Sequence, residues 1–116
     1  MNALGQLGEQ RAAAFFRQRH FRIVARNFRC RLGEIDLIVA RNDLLVFVEV
    51  RVRRRGPWGD AGESIHWHKQ QRLSRAARVY LMQHGHEGPC RFDAILMAHP
   101  QGPLQWLQDI LDFSGN

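Results

Sequence analysis

Across residues 34–53 two runs alternate with the period of a strand, yet each carries an acid where a buried strand would hold Val or Ile. In the first run Glu34, Asp36, Ile38 and Ala40 share one face, and Ile35, Leu37 and Val39 the other. In the second, Val46, Val48, Val50 and Val52 lie opposite Leu45, Phe47, Glu49, Arg51 and Arg53, and the β-branched content favours strand over helix. The intervening Arg41-Asn42-Asp43-Leu44 supplies Asn and Asp, which tolerate the left-handed backbone of a tight turn. With Asn42 and Asp43 as the turn, opposed residue numbers sum to 85, which sets Ala40 against Leu45, Asp36 against Glu49 and Glu34 against Arg51. Directly opposed Cβ atoms lie roughly 4.5–5.5 Å apart, and like charges placed there destabilise a sheet. A divalent cation offsets such repulsion, and Mg²⁺ takes one or two carboxylates together with waters and phosphates. A solvated polar face is the plainer alternative, but Ile38 and Phe47 on the same face argue against full solvation.

The charge balance points to the partner. Seventeen basic residues face eleven acids, a net of +6, and every basic residue except Lys69 is Arg. The guanidinium fork matches phosphate oxygens two at a time, and basic clusters give salt-sensitive affinity for nucleic acid. An Arg-rich proteome would scatter Arg evenly, whereas Arg51, Arg53, Arg54 and Arg55 gather at the end of the acid-bearing strand. The 116 residues, 45% hydrophobic, suit one globular domain over 1–116. Apolar runs such as 44–48 are far too short to span a membrane, and the N-terminus lacks the apolar centre of a signal peptide, so a cytoplasmic protein is expected. Cys30 and Cys90 have no metal-ligand spacing and read as small, half-buried thiols.

Residues 3–20 read as a helix. Gly5, Gly8, Glu9, Ala12, Ala13 and Phe16 recur at spacings of three and four, placing Glu9 in a small-residue stripe that can approach a sheet closely. An inward Glu9 needs a cation, an Arg or hydrogen-bond donors; the alternative is a first-turn acid favoured by the helix dipole. Residues 21–30 alternate as a strand with an irregularity at Asn27, and Arg31-Leu32-Gly33 turns the chain into the hairpin. Residues 56–62 are a Gly/Pro loop. A second helix over 63–84, with Ile65, Leu73, Ala76, Ala77, Tyr80 and Leu81 as its apolar stripe, stops at Gly85. Its other side holds His68, Lys69, Arg72, Arg75 and Arg78 with no acid between Glu63 and Glu87, which suits phosphate as well as plain solvation. Residues 91–99 form a strand that, following a helix, runs parallel to an earlier one. Residues 104–113 are expected to form a short strand ending in a frayed helical turn.

The segments G-Q-L-G-E-Q-R-A-A (5–13), G-E-I-D-L-I (33–38), V-F-V-E-V-R-V-R (46–53), K-Q-Q-R-L (69–73) and R-F-D-A (91–94) together resemble the bacterial YraN-type family. That family is grouped with PD-(D/E)xK nucleases, similar in core to archaeal Holliday junction resolvases and restriction endonucleases. The resemblance implies an α/β, restriction-endonuclease-like core: a mixed sheet, made of a three-strand antiparallel meander plus a parallel strand, flanked by two helices. It implies Asp36 as the motif aspartate, Glu49 as the second acid and Glu9 as the helix-borne acid. The third motif position is usually Lys in the family, and here Arg51 holds it; Arg stays protonated and cannot serve as a base, though it can stabilise charge on phosphate.

The expectation is therefore an Mg²⁺- or Mn²⁺-dependent nuclease acting on DNA. Asp36 and Glu49 hold the metal, Glu9 assists, Arg51 meets the scissile phosphate, and Arg53, Arg54, Arg55, Lys69, Arg72 and Arg75 bind the nucleic acid. A homodimer stays open, since resolving a junction takes two sites. A nucleic-acid-binding module on a nuclease fold and a structural partner in a larger assembly are the competing classes.

Overall fold

The element order is α1 (Ala3–Gln18), β1 (Arg22–Cys30), β2 (Gly33–Arg41), β3 (Leu44–Val52), α2 (Trp67–His84), β4 (Cys90–Met97) and β5 (Leu104–Leu107). The computed structural model describes residues 3–52 and 67–111, with the backbone alone for 67–69. The loop expected over 56–62 and the start of the helix expected from 63 to 66 lie outside the described residues.

The strands form one mixed five-stranded sheet in the order β1-β2-β3-β4-β5. The first three make the antiparallel meander, β4 runs parallel to β3, and β5 returns antiparallel to β4. The hairpin register is the one that a two-residue turn requires: Leu37 pairs Val48, Ile38 pairs Phe47 and Ala40 pairs Leu45. Asn42 takes the left-handed conformation, with φ 55°. The turn is held from outside, since Leu45 N–H donates to the Pro89 carbonyl at 3.0 Å and His86 Nε2 lies 2.9 Å from the Asp43 carbonyl oxygen.

Among the described residues each face of the sheet is covered by one helix, and the two larger of three hydrophobic clusters lie one under each. Ala12, Ala13 and Phe16 of α1 pack with Leu37, Val39, Val46, Val48, Ile95 and Met97. Leu73, Ala76, Ala77 and Tyr80 of α2 pack with Ile35, Ile38, Ala40, Leu45, Phe47 and Phe92. The small residues of α1 permit the close approach that their spacing suggested: Gly8 is buried against the Val52 side chain, which fills the space a Cβ would need. Helix α2 ends at Gly85, whose φ of 75° and 2.8 Å bond to the Leu81 carbonyl close the last turn. Both cysteines are free and partly buried, and burial pushes the Cys90 thiol up in pKa.

Strand β5 is fastened by a fully buried acid. The carboxylate of Asp93 receives Arg91 Nε at 2.8 Å and Nη2 at 2.9 Å, Trp106 Nε1 at 2.8 Å and the Asp109 N–H at 3.0 Å. Those bonds, with Ile110 N–H on the Phe92 carbonyl, draw residues 108–111 back along β4, and no helical turn forms over them. Asp109 sits at φ 57° as a result. The expected frayed helix is thus corrected: tertiary hydrogen bonds replace local ones over this stretch.

Removing one side of a buried ion pair leaves the other charge uncompensated, at a cost of about 3–5 kcal/mol. Asp93→Ala is therefore expected to lower the denaturant midpoint by a stability loss of that size, with Asp93→Asn, which keeps an acceptor, losing less. Equilibrium urea unfolding monitored by tryptophan fluorescence checks both.

Candidate active site

The pairing between β1 and β2 is irregular twice. The register shifts by one residue between Ile23 and Ala25, which sends Ile23 to the α1 core and Ala25 to the α2 core and corrects the expected alternation there, and a gap follows further along. Ala25 pairs Ile38 and Arg26 pairs Leu37; the next recorded pairs are Phe28 with Ile35, Arg29 with Glu34 and Cys30 with Gly33. Asn27 and Asp36 are skipped, and Asn27 lies in the left-handed region at φ 51°. Neither strand gains a residue over the other across this gap, so both roll together. The packing shows the roll directly: Ile35 joins Ile38 and Ala40 under α2, whereas strict alternation puts it with Leu37 and Val39 under α1. The expected face of Glu34, Asp36, Ile38 and Ala40 is corrected accordingly. Glu34 pairs across to Arg29 at 3.4 Å, and its recorded strand partner is on β1.

The roll places Asp36 at the point where β2 and β3 part. Recorded β2–β3 pairs run only from Arg41↔Leu44 to Leu37↔Val48, and beyond them the Val50 N–H donates to Asp36 Oδ2 at 2.9 Å. In a continued ladder that donor would meet a β2 carbonyl; here a side-chain carboxylate takes the bond. Because Val50 N belongs to the peptide that follows Glu49, the Asp36 carboxylate is set beside the backbone of Glu49.

Glu49 itself is 2% exposed, and its Oε2 lies 3.1 Å from Arg51 Nη2. The two residues share one face of β3, as their odd numbering requires. Arg51 Nε is buried and has no hydrogen-bond partner among the described residues. The guanidinium is therefore held on Glu49 by one arm.

Glu9 approaches from α1. The described helix has no acid in its first turn, so the helix-end role does not apply to Glu9; it stands one turn further in, partly buried. Burial pushes its carboxyl above the usual range, the charge of Asp36 pushes it further and Glu34 adds to this, while a hydrogen bond from Asn27 and the charge of Arg29 pull the other way. The acids that come together are thus Glu9, Asp36 and Glu34 on the α1 side, whereas Glu49 and Arg51 share the face of β3 that Phe47 turns to α2. The expected convergence of Asp36 and Glu49 on one face is therefore corrected, and the two residues are linked through the Val50 peptide. Among the described residues no three His, Cys, Asp or Glu side chains gather closely enough to hold a metal ion by themselves.

The expected nucleic-acid residues are dispersed. Arg72 and Arg75 are exposed on α2, Lys69 is placed only by its backbone, and Arg53, Arg54 and Arg55 lie outside the described residues. Two residues gained importance from the structure. Asn27 makes the roll, and its irregularity could be read from the sequence; Asp93 could have been found from Arg91 two residues before it on the same face of a strand.

A family model described as "Uncharacterised protein family UPF0102" matches residues 8–97. The chain belongs to the UPF0102 family. A UPF0102 protein of Nitrosomonas europaea is 44% identical over 118 residues, covering 98% of this chain and all of the relative. Those of Methylobacillus flagellatus and Hahella chejuensis are 42% identical over 110 residues and 45% over 108, covering 94% and 91% of this chain and 96% and 87% of the relatives. The UPF0102 match opens one residue before Glu9 and closes at the last residue of β4, so it contains Glu9, Asp36, Glu49 and Arg51 and leaves β5 outside.

The raised pKa of Glu9 fixes the sign of a pH effect. The native state binds the proton more tightly than the unfolded chain, so this contribution to stability is full below about pH 4.5 and is lost as pH rises through the folded value. Glu9→Gln is expected to gain thermal stability relative to the parent at neutral pH, with the difference shrinking towards pH 4. Melting curves from pH 4 to 8 check this.

Proposed function

We propose that this UPF0102 protein is a metal-dependent endonuclease that hydrolyses DNA phosphodiester bonds, on a restriction-endonuclease-like core, with branched or repair intermediates as its substrate class and the cytoplasm as its place of action. The observation that carries the reading is the seating of the Asp36 carboxylate on the Val50 N–H, beside the backbone of Glu49, with Glu9 of α1 raised in pKa by burial and by that same carboxylate. Capping the Val50 N–H accounts for one oxygen of Asp36, and the approach of Glu9 from α1 to the same carboxylate, where the sheet ladder opens, is what a functional site adds.

The donor set suits a hard cation. It consists of carboxylate oxygens, and Mg²⁺ or Mn²⁺ uses few protein ligands, completing its shell with water and phosphate. Asp36, through the oxygen that does not receive Val50, and Glu49 are the residues that would hold the ion. When bound, such an ion supplies Lewis-acid stabilisation of the phosphate and a more acidic water. The chain's own groups do the rest. Val50 N–H fixes the Asp36 rotamer, Arg51 carries permanent positive charge for the phosphate, and Glu9 has the proton affinity shifted in the direction that acid–base work near neutrality needs.

One observation favours a second reading, a nucleic-acid-binding module without cleavage. Arg51 lies 3.1 Å from Glu49 and neutralises an acid that the ion would use. The two readings separate by experiment. Labelled linear, forked and four-way DNA is incubated with the protein while Mg²⁺ or Mn²⁺ is titrated, and binding is compared with cleavage. Cleavage by the parent supports the nuclease; cleavage only after Arg51→Lys supports the binding module.

Asp36→Asn keeps an oxygen to accept from Val50 but removes the charge. It is expected to abolish cleavage and the metal-dependent rise in melting temperature, while DNA binding stays equal or tightens. Asp36→Ala orphans the Val50 N–H and is expected to cost about 1–3 kcal/mol in stability. A melt of all three proteins with and without Mg²⁺ distinguishes lost metal from lost structure.

A further inference from the structure

We propose that the recess between α1 and β1 is a subsite for the DNA strand, holding the phosphate next along from the one at the acids, with Arg26 and Arg29 as its anion-binding pair. The inference rests on the nucleic-acid reading above and assigns that reading a place on the surface, separate from the basic face of α2.

The recess has a volume of about 520 Å³ and is lined by Gln6, Glu9, Gln10, Arg26, Asn27 and Arg29. That volume falls within the roughly 300–1,000 Å³ typical of ligand sites. Its lining comes from the strand roll. Arg26 and Arg29 are three residues apart, and in a regular strand an odd separation sends side chains to opposite faces. The left-handed Asn27 between them reverses the alternation, so both guanidinium groups border the same recess as Glu9. Their strand partners agree: Arg26 lies opposite Leu37 of the α1 core, and Arg29 opposite Glu34, whose charge reaches Glu9.

The chemistry of the lining selects the ligand. Two guanidinium groups offer paired donors to an anion, and the carboxamides of Gln6 and Gln10 add neutral donors and acceptors from α1. Arg26 is exposed and makes no hydrogen bond or ion pair among the described residues, so its donors face the recess uncommitted. The Oδ1 of Asn27 is buried with no hydrogen-bond partner among the described residues, while the same side chain hydrogen-bonds Glu9. An apolar ligand would leave that acceptor and Arg26 unserved. A DNA strand serves them, with phosphate oxygens for the guanidinium groups and base N–H groups for the acceptor. The presence of Glu9 in the wall makes the recess continuous with the acids, which suits a polymer better than a free metabolite.

The test measures binding of a fluorescein-labelled single-stranded oligodeoxynucleotide by anisotropy, in EDTA so that nothing is cut, from low to moderate salt. Each phosphate contact contributes about 0.7 to the log–log salt slope on single strands. Arg26→Ala is expected to lower the slope by about 0.7, and Arg26→Lys, which keeps the charge, to restore most of it. Arg29→Ala combined with Glu34→Gln, which removes that ion pair as a unit, is expected to give a similar loss, with Glu34→Gln alone giving none. Circular dichroism melts confirm that each variant folds. If the parent binds but its slope is unmoved by the β1 variants and falls with Arg72→Ala and Arg75→Ala, the subsite is overturned and nucleic-acid binding stands. If the parent binds no DNA at any salt, the nucleic-acid reading itself fails and the subsite with it.

Discussion

The bond from Val50 N–H to the Asp36 carboxylate is the constraint around which the acidic end of the sheet is arranged. A ladder donor at that position needs an acceptor, and an unmet partly buried N–H would cost about 1–3 kcal/mol. Supplying the acceptor from a side chain lets β2 leave β3 without that loss. The freed β2 backbone then follows β1 through the roll at Asn27, and the outer end of the β1–β2 ribbon folds toward α2. Gly33 shows how close that approach is, since a Cβ there would lie 2.5 Å from the Arg72 carbonyl oxygen. One hydrogen bond thus couples the placing of an acid to the curvature of the sheet.

The charges near this point are only partly balanced. Glu34 has Arg29 at 3.4 Å and Glu49 has Arg51 at 3.1 Å, whereas Glu9 is raised in pKa by burial and then by Asp36, against which Asn27 and Arg29 only partly act. The contrast with Asp93 is instructive. That acid is more deeply buried, yet its oxygens are met by four donors from Arg91, Trp106 and Asp109, and its effect is to fasten β5. A buried acid saturated by fixed donors reads as structure, whereas at the opening of the ladder Asp36 raises the proton affinity of Glu9, as acids in a site do. Burial alone would not have told the two apart.

Much of the architecture could be reached from local pattern. The Asn42–Asp43 turn and strict alternation on both sides set the hairpin register, and the helix before β4 implied that this strand runs parallel to an earlier one, which the structure identifies as β3. The period-two argument failed at Asp36 for a definite reason. A roll shared by two strands leaves the pairing register intact, so the residue sum that correctly aligned Leu37 with Val48 carried no trace of the reversal that sent Ile35 to the other core. Asn27 was the visible clue, as an αL-tolerant residue inside a strand, but its effect on the opposite strand depends on pairing. The segment after Leu107 was misread for a different reason: its backbone donors are claimed by Asp93 and Phe92, residues remote in sequence.

The identity of residue 51 decides which side chain can handle a proton. A lysine held near buried acids can be shifted towards neutrality and lose its proton, whereas a guanidinium keeps its charge in any protein environment. Arg51 also has its position fixed, by Glu49 on one arm and by burial of Nε on the stem side. It can therefore stabilise negative charge but cannot accept a proton from water. Glu9 is displaced in the required direction by burial and by Asp36, and it stands on α1, a different element from the strand that carries Arg51. The division of labour in the proposed reaction follows from this: charge stabilisation belongs to β3 and proton transfer to the helix. In that proposed reaction, a change that would disable a single lysine serving both purposes leaves each task with its own element of the fold.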